Sequence, residues 1–319
     1  MAKVYSPLNL KPMKKILIAT EKPFAPAAVE GIKNVFTEAG YEVVMLENYT
    51  DTADFLKAVA DVDGLIIRSD KVTAEVVNAA QNLKIVVRAG AGYDNIDLGA
   101  CTPKGVVAMN TPGQNSNAVA ELAFGMMLYN VRKAFNGSSG KELRDKKIGI
   151  HAYGNVGKYV AGIAKGFGMH VYAHDPFVKK EEIEKDGVIA IDSVEELYKT
   201  CQYISLHIPA NDKTKKSINY ELLKTMPKGG TLVNTARKEV IDEEGLLKVM
   251  AERADFNYLS DLAPDCKDEL LEKYAERVVF TAKKMGAQTS EANINAGLAA
   301  AKQIVNFFEK GDKTFQVNK

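Results

Sequence analysis

The feature that most constrains the fold is an ordered series of segments between residues 145 and 176. An apolar run, Lys147–His151, leads into the small-residue turn Ala152–Gly157, and a helical stretch follows over Lys158–Gly168. A second apolar run then ends at Asp175. The order of strand, glycine turn, helix, strand and terminal acid predicts a dinucleotide-binding βαβ unit. The alternative is an ordinary βαβ turn that holds no nucleotide.

Each part of this unit has a physical role in binding a dinucleotide. Gly154 lets the backbone approach a pyrophosphate, and Gly157 lets the helix pack tightly on the strand. The first helical amides and the positive end of the helix dipole favour the phosphate anion. Ala152 occupies the first glycine position of G-x-G-x-x-G, where alanine is tolerated if φ is negative. Asp175 can accept hydrogen bonds from two ribose hydroxyls and would repel a 2′-phosphate, which favours NAD over NADP.

Composition narrows the class of protein. The chain of 319 residues is long enough for two domains, and its 42 basic and 41 acidic residues leave a net charge of +1. No long run of like charge and no long apolar stretch occurs, so we expect neither a nucleic-acid partner nor a membrane span. Cys101, Cys201 and Cys266 lack metal-ligand spacing and predict reduced thiols in a cytoplasmic protein. Residues 1–12 are predicted to be an arm or a leader.

Apolar runs alternate with helical segments along the whole chain, which predicts an α/β protein with two doubly wound parallel sheets. The predicted strands of the first half are Lys15–Thr20, Glu42–Leu46, Gly64–Arg68, Lys84–Arg88 and Val106–Asn110. Those of the second half span 147–151, 169–174, 187–190, 203–207, 231–234 and 257–261. Predicted helices include Pro26–Ala39, Ser116–Ala134 and Glu291–Phe308. Ligands are expected beyond the carboxyl ends of the strands.

Five motifs resemble the D-2-hydroxyacid dehydrogenase family. They are Leu83–Leu98 (LKIVVRAGAGYDNIDL), Met109–Glu121 (MNTPGQNSNAVAE), the glycine turn with Asp175, Ser205–Pro209 (SLHIP) and Thr231–Glu243 (TLVNTARKEVIDE). Their order matches the family, and the resemblance begins near Met13. It implies a flavodoxin-like substrate-binding domain formed by residues 13–115 and 289–319, and a Rossmann NAD-binding domain at 116–288. It also implies an interdomain active site and a homodimer.

The resemblance assigns roles to individual residues. Arg237 matches the substrate arginine, whose guanidinium forks onto the carboxylate and carbonyl of a 2-oxo acid; a solvated surface arginine is the alternative. The backbone amides of Ala89, Gly90, Ala91 and Gly92 would hold the substrate carboxylate. Asp261 matches an acid near the nicotinamide carboxamide, unless it caps a turn, and His207 has a mainly structural role. The implied NAD contacts are Tyr153, Gly154, Asn155, Val156, Gly157, Asp175, His207, Pro209, Thr214, Thr235, Ala236 and Asp261.

Two departures from the family pattern concern proton transfer. Cys266 occupies the place of an acid, and no histidine lies in Thr281–Thr289, the segment that carries the family's catalytic histidine. Anchoring this segment on Gly286 puts Lys284 at the histidine position, whereas anchoring it on Thr281 selects Lys283. We prefer Lys284, whose pKa would be lowered by burial in a closed cleft and by a nearby arginine cation. The alternative is that both lysines are surface residues.

Within the family, the motifs most resemble the branch that oxidises D-3-phosphoglycerate. This resemblance implies oxidation of that 2-hydroxy acid at C2 with NAD, giving 3-phosphohydroxypyruvate for serine biosynthesis. A phosphorylated substrate needs cations, and Arg68, with Ser69 and Lys71, is predicted to hold the phosphate; solvated surface charge is the alternative. Two other functions stay open. One is a glyoxylate or hydroxypyruvate reductase, and the other is a catalytically inactive NAD-sensing interaction protein.

Overall fold

The computed structural model describes residues 13–319, which form two compact units. The first unit contains residues 13–115 and 290–319, and the second contains residues 116–289. The arm or leader predicted at residues 1–12 lies outside the described part of the chain. The three cysteines are free thiols. Within residues 13–319, no helix combines the length and apolar character needed to cross a membrane.

The first unit is built on a five-stranded parallel sheet. Its strands run in the order β2-β1-β3-β4-β5, which is the flavodoxin-like order. The strands are β1 (Lys15–Thr20), β2 (Glu42–Glu47), β3 (Gly64–Ile67), β4 (Ile85–Arg88) and β5 (Val107–Asn110). The helices that connect them are α1 (Pro26–Glu38), α2 (Thr52–Val59), α3 (Ala74–Ala79) and α4 (Leu98–Cys101).

Local sequence explains where these helices begin. Pro26 is the first residue of α1, where its missing N–H is not needed. The side chains of Asp51, Thr73 and Asp97 cap α2, α3 and α4 by accepting hydrogen bonds from backbone amides of the first turn. The strands β1, β3, β4 and β5 are largely apolar and buried, as parallel strands covered by helices are, whereas the edge strand β2 is only half-buried.

The second unit is built on a seven-stranded parallel sheet. Its order, β12-β11-β10-β9-β6-β7-β8, is the Rossmann order extended by one strand. The strands are β6 (Lys147–His151), β7 (His170–His174), β8 (Ile189–Ala190), β9 (Tyr203–Leu206), β10 (Thr231–Asn234), β11 (Asn257–Ser260) and β12 (Val278–Phe280). The helices are α5 (Ser116–Val131), α6 (Asn155–Gly166), α7 (Lys180–Lys185), α8 (Val194–Thr200), α9 (Tyr220–Leu223), α10 (Glu243–Glu252) and α11 (Lys267–Tyr274). The predicted fold class is confirmed.

Several predicted boundaries differ from the observed ones. Helix α6 begins at Asn155, whereas the sequence predicts Lys158, because the last residues of the glycine turn already form the first helical turn. Strand β12 is not predicted from the sequence, since three residues are too few to show a periodicity. Strand β8 has two residues instead of the four predicted at 187–190, because Gly187 is left-handed at φ +65°.

The last helix, α12 (Ser290–Lys310), belongs to the first unit and packs on α1. Glycines bring the two helices close: a methyl group on Gly31 would lie 2.8 Å from Leu298 Cδ2, and one on Gly297 would lie 2.7 Å from Ile32 Cδ1. The chain thus returns to complete the core of its first unit.

Candidate active site

The predicted functional residues of the second unit follow the carboxyl ends of its parallel strands. These ends lie at one edge of the sheet, and β6 and β9 are neighbours at the point where the strand order reverses. In open α/β sheets, this switch point is where ligands bind. The glycine turn follows β6, and Asp175 follows β7. His207, Thr235 to Arg237, Asp261 and the lysine segment follow β9, β10, β11 and β12.

The glycine turn has the space that a pyrophosphate needs. Gly154 is the N-cap of α6, and no atom lies within 4 Å of the position where a methyl group would project from it. At Gly157, by contrast, such a methyl group would lie 2.5 Å from the carbonyl oxygen of Ala152. The first glycine is therefore open to a ligand, and the second is required for packing of the helix on the strand.

Ala152 does not meet the condition stated from the sequence. Its φ is +80°, so the alanine takes the left-handed conformation that glycine normally supplies at this turn. For an L-residue, this conformation costs about 1–2 kcal/mol. The turn keeps the geometry of the glycine fingerprint because its neighbours hold it: the Ala152 amide donates to the carbonyl of His174 at 2.9 Å.

Asp175 connects the turn to the end of β7. Its Oδ2 accepts a hydrogen bond from the Tyr153 amide at 2.8 Å, and its Oδ1 accepts one from the Phe177 amide at 2.8 Å. A carboxylate has about four acceptor positions, so capacity remains for a ribose diol. Tyr153 itself is buried, and its hydroxyl donates to Asp186 at 3.0 Å, so its side chain belongs to the core.

His151, at the end of β6, and His207, just after β9, are neutral near pH 7. Burial lowers the pKa of His207 to about 3, with a further contribution from His151. Burial also lowers the pKa of His151 itself to about 4. His207 Nε2 lies 2.9 Å from Ser205 Oγ. Farther along this loop, the Thr214 hydroxyl donates to the carbonyl of Pro209 at 2.6 Å.

Asn234 shapes the loop that presents Arg237, a role that sequence analysis missed. The buried Asn234 side chain accepts from the Ala236 amide at 3.0 Å and donates to the Arg237 carbonyl at 2.9 Å. The Arg237 side chain is exposed, and one of its N–H groups donates to the Ala236 carbonyl at 2.8 Å. Thr235 is buried, and its hydroxyl has no hydrogen-bond partner among residues 13–319.

Asp261 lies beneath the lysine segment with 1% of its surface exposed. Its Oδ1 accepts from the Met285 amide at 2.6 Å, and its Oδ2 accepts from the Gly286 amide at 2.8 Å. The hydroxyl of Thr281 lies 3.0 Å from the same Oδ1. Both lysines of this segment are exposed. The acid therefore organises the loop that carries Lys283 and Lys284, a contact that spacing in the sequence does not reveal.

Cys266 occupies a turn that is held by a carboxylate from another helix. Glu243 accepts hydrogen bonds from the amides of Asp265 and Cys266, both at 2.8 Å. Burial and then Glu243 raise the pKa of the Cys266 thiol to about 12. The thiol is therefore protonated and a poor nucleophile at neutral pH.

In the first unit, Arg68 is held by several contacts. Its Nη1 donates to the carbonyls of Lys22 and Pro23 at 2.9 and 2.8 Å, and its Nη2 donates to Asn293 Oδ1 at 2.7 Å. The guanidinium also lies 5.1 Å from the centre of the Phe24 ring. Burial lowers the pKa of Arg68. Ser69 and Lys71 are exposed beside it.

Asp70 and Arg88 support this strand-end region. The buried Asp70 carboxylate accepts from the Arg68 amide at 3.1 Å and from the Tyr49 hydroxyl at 2.9 Å. Arg88 Nε donates to the Arg68 carbonyl at 3.1 Å. A methyl group on Gly90 would lie 1.7 Å from Arg88 Nη1, so the guanidinium sits directly against the loop Ala89–Gly92.

Comparisons with known proteins give a consistent result. A family model described as the NAD-binding domain of D-isomer-specific 2-hydroxyacid dehydrogenases matches residues 118–282. A crystal structure of NAD⁺-bound 3-phosphoglycerate dehydrogenase from Entamoeba histolytica is 50% identical and has a TM-score of 0.83. The comparison covers 96% of this chain and 99% of that chain.

Two curated relatives differ in name and in length. D-3-phosphoglycerate dehydrogenase of Methanocaldococcus jannaschii is 36% identical over 79% of this chain and 51% of its own. Hydroxypyruvate reductase of Thermotoga maritima is 34% identical over 82% of this chain and 90% of its own. The chain thus spans about half the length of the first relative and most of the length of the second.

Proposed function

Because this chain belongs to the D-isomer-specific 2-hydroxyacid dehydrogenase family, with the NAD-binding domain of that family in its second unit, we propose that it oxidises D-3-phosphoglycerate to 3-phosphohydroxypyruvate. The predicted family and the predicted NAD cofactor are confirmed by the family model and the NAD⁺-bound relative. The observation that carries the finer proposal is the similarity to the Entamoeba histolytica enzyme over nearly the whole chain. The product would serve serine biosynthesis.

The residues around the glycine turn fit an NAD molecule. The open position at Gly154 and the first amides of α6 suit the pyrophosphate, and Asp175 has acceptor positions left for a ribose diol. We also assign to the cofactor Asn155, Val156, Gly157, His207, Pro209, Thr214, Thr235, Ala236 and Asp261. The neutral state of His207 suits an uncharged hydrogen-bonding role beside the nicotinamide.

Arg237 and the loop Ala89–Gly92 are proposed to hold the 2-hydroxy acid by its carboxylate. The exposed guanidinium of Arg237 can fork onto the carboxylate and the C2 oxygen, where it would orient the substrate and stabilise negative charge on that oxygen as its proton leaves. The amides of the Ala89–Gly92 loop would add hydrogen bonds to the carboxylate. Bound NAD⁺ would accept the hydride from C2.

Lys284 is proposed to take the proton of the C2 hydroxyl as hydride leaves. A neutral amine is needed for this role, and a lysine at its ordinary pKa of about 10.4 is a poor base at neutral pH. We therefore expect the pKa of Lys284 to fall when substrate and cofactor exclude water and bring the Arg237 cation near. Cys266 fits this chemistry, because a carboxylate beside a lysine would favour the protonated, inactive amine.

Arg68 is proposed to hold the substrate phosphate, with Ser69 and Lys71 as neighbours. Three of its five N–H groups are used by Lys22, Pro23 and Asn293, so the others can reach an anion. Because the guanidinium is already ordered by these contacts and by Phe24, it loses little conformational freedom when it binds a phosphate. Arg88 supplies a second cation next to the carboxylate-binding loop.

A second candidate is reduction of hydroxypyruvate. The observation in its favour is the Thermotoga maritima relative, which is matched over 90% of its length. The same glycine turn, Arg237 and Lys284 would serve this reaction in the opposite direction. The two functions differ in whether a phosphate is recognised, so the region of Arg68 distinguishes them.

The assembly and the cellular location are also part of the proposal. We infer a homodimer, because the exposed Tyr129 and Phe135 rings at the end of α5 stack edge-to-face and offer apolar area to a partner subunit. The three free thiols suit the reducing cytoplasm.

Steady-state kinetics over a panel of substrates tests the proposed function. NADH formation from D-3-phosphoglycerate, D-glycerate and D-lactate is compared with NADH consumption by glyoxylate and hydroxypyruvate. We expect the highest kcat/KM for D-3-phosphoglycerate, about tenfold to 100-fold better with NAD⁺ than with NADP⁺, and a smaller cofactor preference in Asp175→Ala. A preference for hydroxypyruvate identifies a reductase, and NADH binding without turnover identifies an inactive NAD-sensing protein.

A further inference from the structure

The loop Thr281–Gly286 carries both candidate lysines and is fastened to one buried carboxylate. We propose that Asp261 and Thr281 are positioning residues that fix the backbone on both sides of Lys284. This inference rests on the proposed function, because it concerns how the proton-transfer group of that reaction is held. It gives Asp261 a second task in addition to the cofactor contact proposed above.

The first anchor acts on the peptide bond that follows Lys284. The Met285 amide belongs to this peptide and donates to Asp261 Oδ1 at 2.6 Å. The next amide, that of Gly286, donates to Oδ2 of the same carboxylate at 2.8 Å. Hydrogen bonds from backbone amides to a buried carboxylate are among the strong ones in proteins. The peptide plane on the carboxyl side of Lys284 is therefore fixed.

The second anchor acts on the peptide bond that precedes Lys284. The carbonyl of Lys283 belongs to this peptide and lies 2.8 Å from Thr281 Oγ1. The same hydroxyl lies 2.7 Å from the backbone carbonyl of Asp261 and 3.0 Å from its Oδ1. Its single proton thus links the start of the loop either to Asp261 or to the peptide of Lys283. Lys284 has both flanking peptides in this network, whereas Lys283 has one.

Gly286 is part of the same arrangement. A methyl group there would lie 3.0 Å from Asp261 Oδ2 and 3.2 Å from Val119 Cγ2. A side chain at this position would therefore push the loop away from the carboxylate. Glycine lets the amide of residue 286 approach the acid closely.

Anchoring matters because Lys284 has a flexible four-carbon side chain. Proton transfer requires donor and acceptor atoms within about 2.6–3.2 Å in a productive arrangement. If the backbone also moved, the amine would spend less time at this distance, and a displacement of about 1 Å can cost about 100-fold in rate. A fixed backbone leaves the side-chain torsions as the main freedom of the base.

The test uses Thr281→Val, which keeps the shape of the side chain and removes the hydroxyl, with Thr281→Ser as the matched control. Turnover, the KM for D-3-phosphoglycerate, the Kd for NADH and hydrogen exchange at the Met285 and Gly286 amides are measured for each variant. For Thr281→Val we expect a loss of kcat of about tenfold or more, faster amide exchange and unchanged NADH binding. The rising limb of its pH–rate profile should move to higher pH, because a lysine on a more mobile backbone is better hydrated and hydration favours its charged form. Thr281→Ser should restore these properties to within about twofold.

Asp261→Asn provides a second test that does not depend on Thr281. Its amide nitrogen cannot accept from the Gly286 amide, so faster exchange at Gly286 and a lower kcat are expected. The proposal is overturned if amide exchange is unchanged in Thr281→Val, or if exchange accelerates while kcat and the pH profile stay as in the wild type. Failure of the proposed function is distinguishable: Lys284→Met would then turn over normally, whereas Thr281→Val would still lose amide protection.

Discussion

Gly154 and Gly157 lie three residues apart in one turn, and the structure predicts opposite consequences for an added methyl group. Gly154 has φ −81° and ψ −158°, which alanine adopts readily, and its methyl group would enter open space. At Gly157, the methyl group would lie 2.5 Å from the Ala152 carbonyl oxygen and 3.0 Å from Ile150 Cγ2. Gly154→Ala should therefore impair cofactor binding, and Gly157→Ala should impair folding.

The magnitudes follow from these contacts. For Gly154→Ala, the reduced conformational freedom of the unfolded chain stabilises the folded state by about 0.4–1 kcal/mol. The loss of a glycine at the N-cap offsets part of this gain. The free energy of unfolding should thus stay within about 1 kcal/mol of the wild type. Displacing the pyrophosphate by the width of a methyl group loses at least one charge-assisted hydrogen bond, about 1.5–3 kcal/mol, or about tenfold to 150-fold in NADH affinity.

Gly157→Ala creates overlap with a backbone atom, which cannot rotate away. Overpacking of this kind costs about 1–3 kcal/mol, which for a unit of this size lowers Tm by about 2–12 °C. Thermal unfolding of the NAD-free variants and NADH fluorescence titration separate the two effects. The interpretation of the turn is refuted if Gly154→Ala binds NADH as tightly as the wild type, or if its Tm falls as far as that of Gly157→Ala.

Two further substitutions test other parts of the account. Arg68→Ala should raise the KM for D-3-phosphoglycerate by about tenfold to 100-fold with a small effect on D-glycerate, and equal effects on the two substrates would remove the phosphate role. His207 has a folded-state pKa of about 3, below its ordinary value of about 6.5, so the unfolded chain binds a proton that the folded chain does not across this window. Its stabilising contribution is therefore complete above about pH 6.5, and the free energy of unfolding falls by up to about 1.4 kcal/mol per pH unit below that value. Urea unfolding at several pH values should show a shallower loss of stability with falling pH in His207→Asn. The same pH dependence in this variant and the wild type would contradict the buried neutral state.

The sequence predicts the architecture well because the pattern is long and repeated. Apolar runs such as Lys15–Thr20 and Lys147–His151 have the predicted bounds, and their alternation with helices determines a parallel sheet. Short elements are predicted poorly. Three residues, Val278–Phe280, make a strand because β11 lies beside them, and this tertiary contact leaves no periodicity in the chain.

In the candidate site, too, some features can be predicted from the sequence and others cannot. The glycine turn and Asp175 are recognised because their spacing is local. The left-handed backbone of Ala152 could not be predicted from the sequence. The Cβ atom of an alanine favours a negative φ, and contact with the neighbouring strand overrides that preference. Asp261 accepts a hydrogen bond from the amide of Gly286, which is 25 residues farther along the chain, so no local motif reveals its role. Asn234 and Asp70 each accept from an amide only two residues away, but in loop conformations that the sequence does not specify.

The central claim is that Lys284 takes the proton while NAD⁺ takes the hydride of D-3-phosphoglycerate. Single-turnover NADH formation in Lys284→Met and Lys283→Met tests it, with NADH binding as the control for folding. We predict a loss of about 100-fold to 10,000-fold in Lys284→Met and near wild-type rates in Lys283→Met, as expected when a general base is removed. Near wild-type turnover of Lys284→Met across the pH range would contradict the claim, and a loss confined to Lys283→Met would assign the proton transfer to that neighbour.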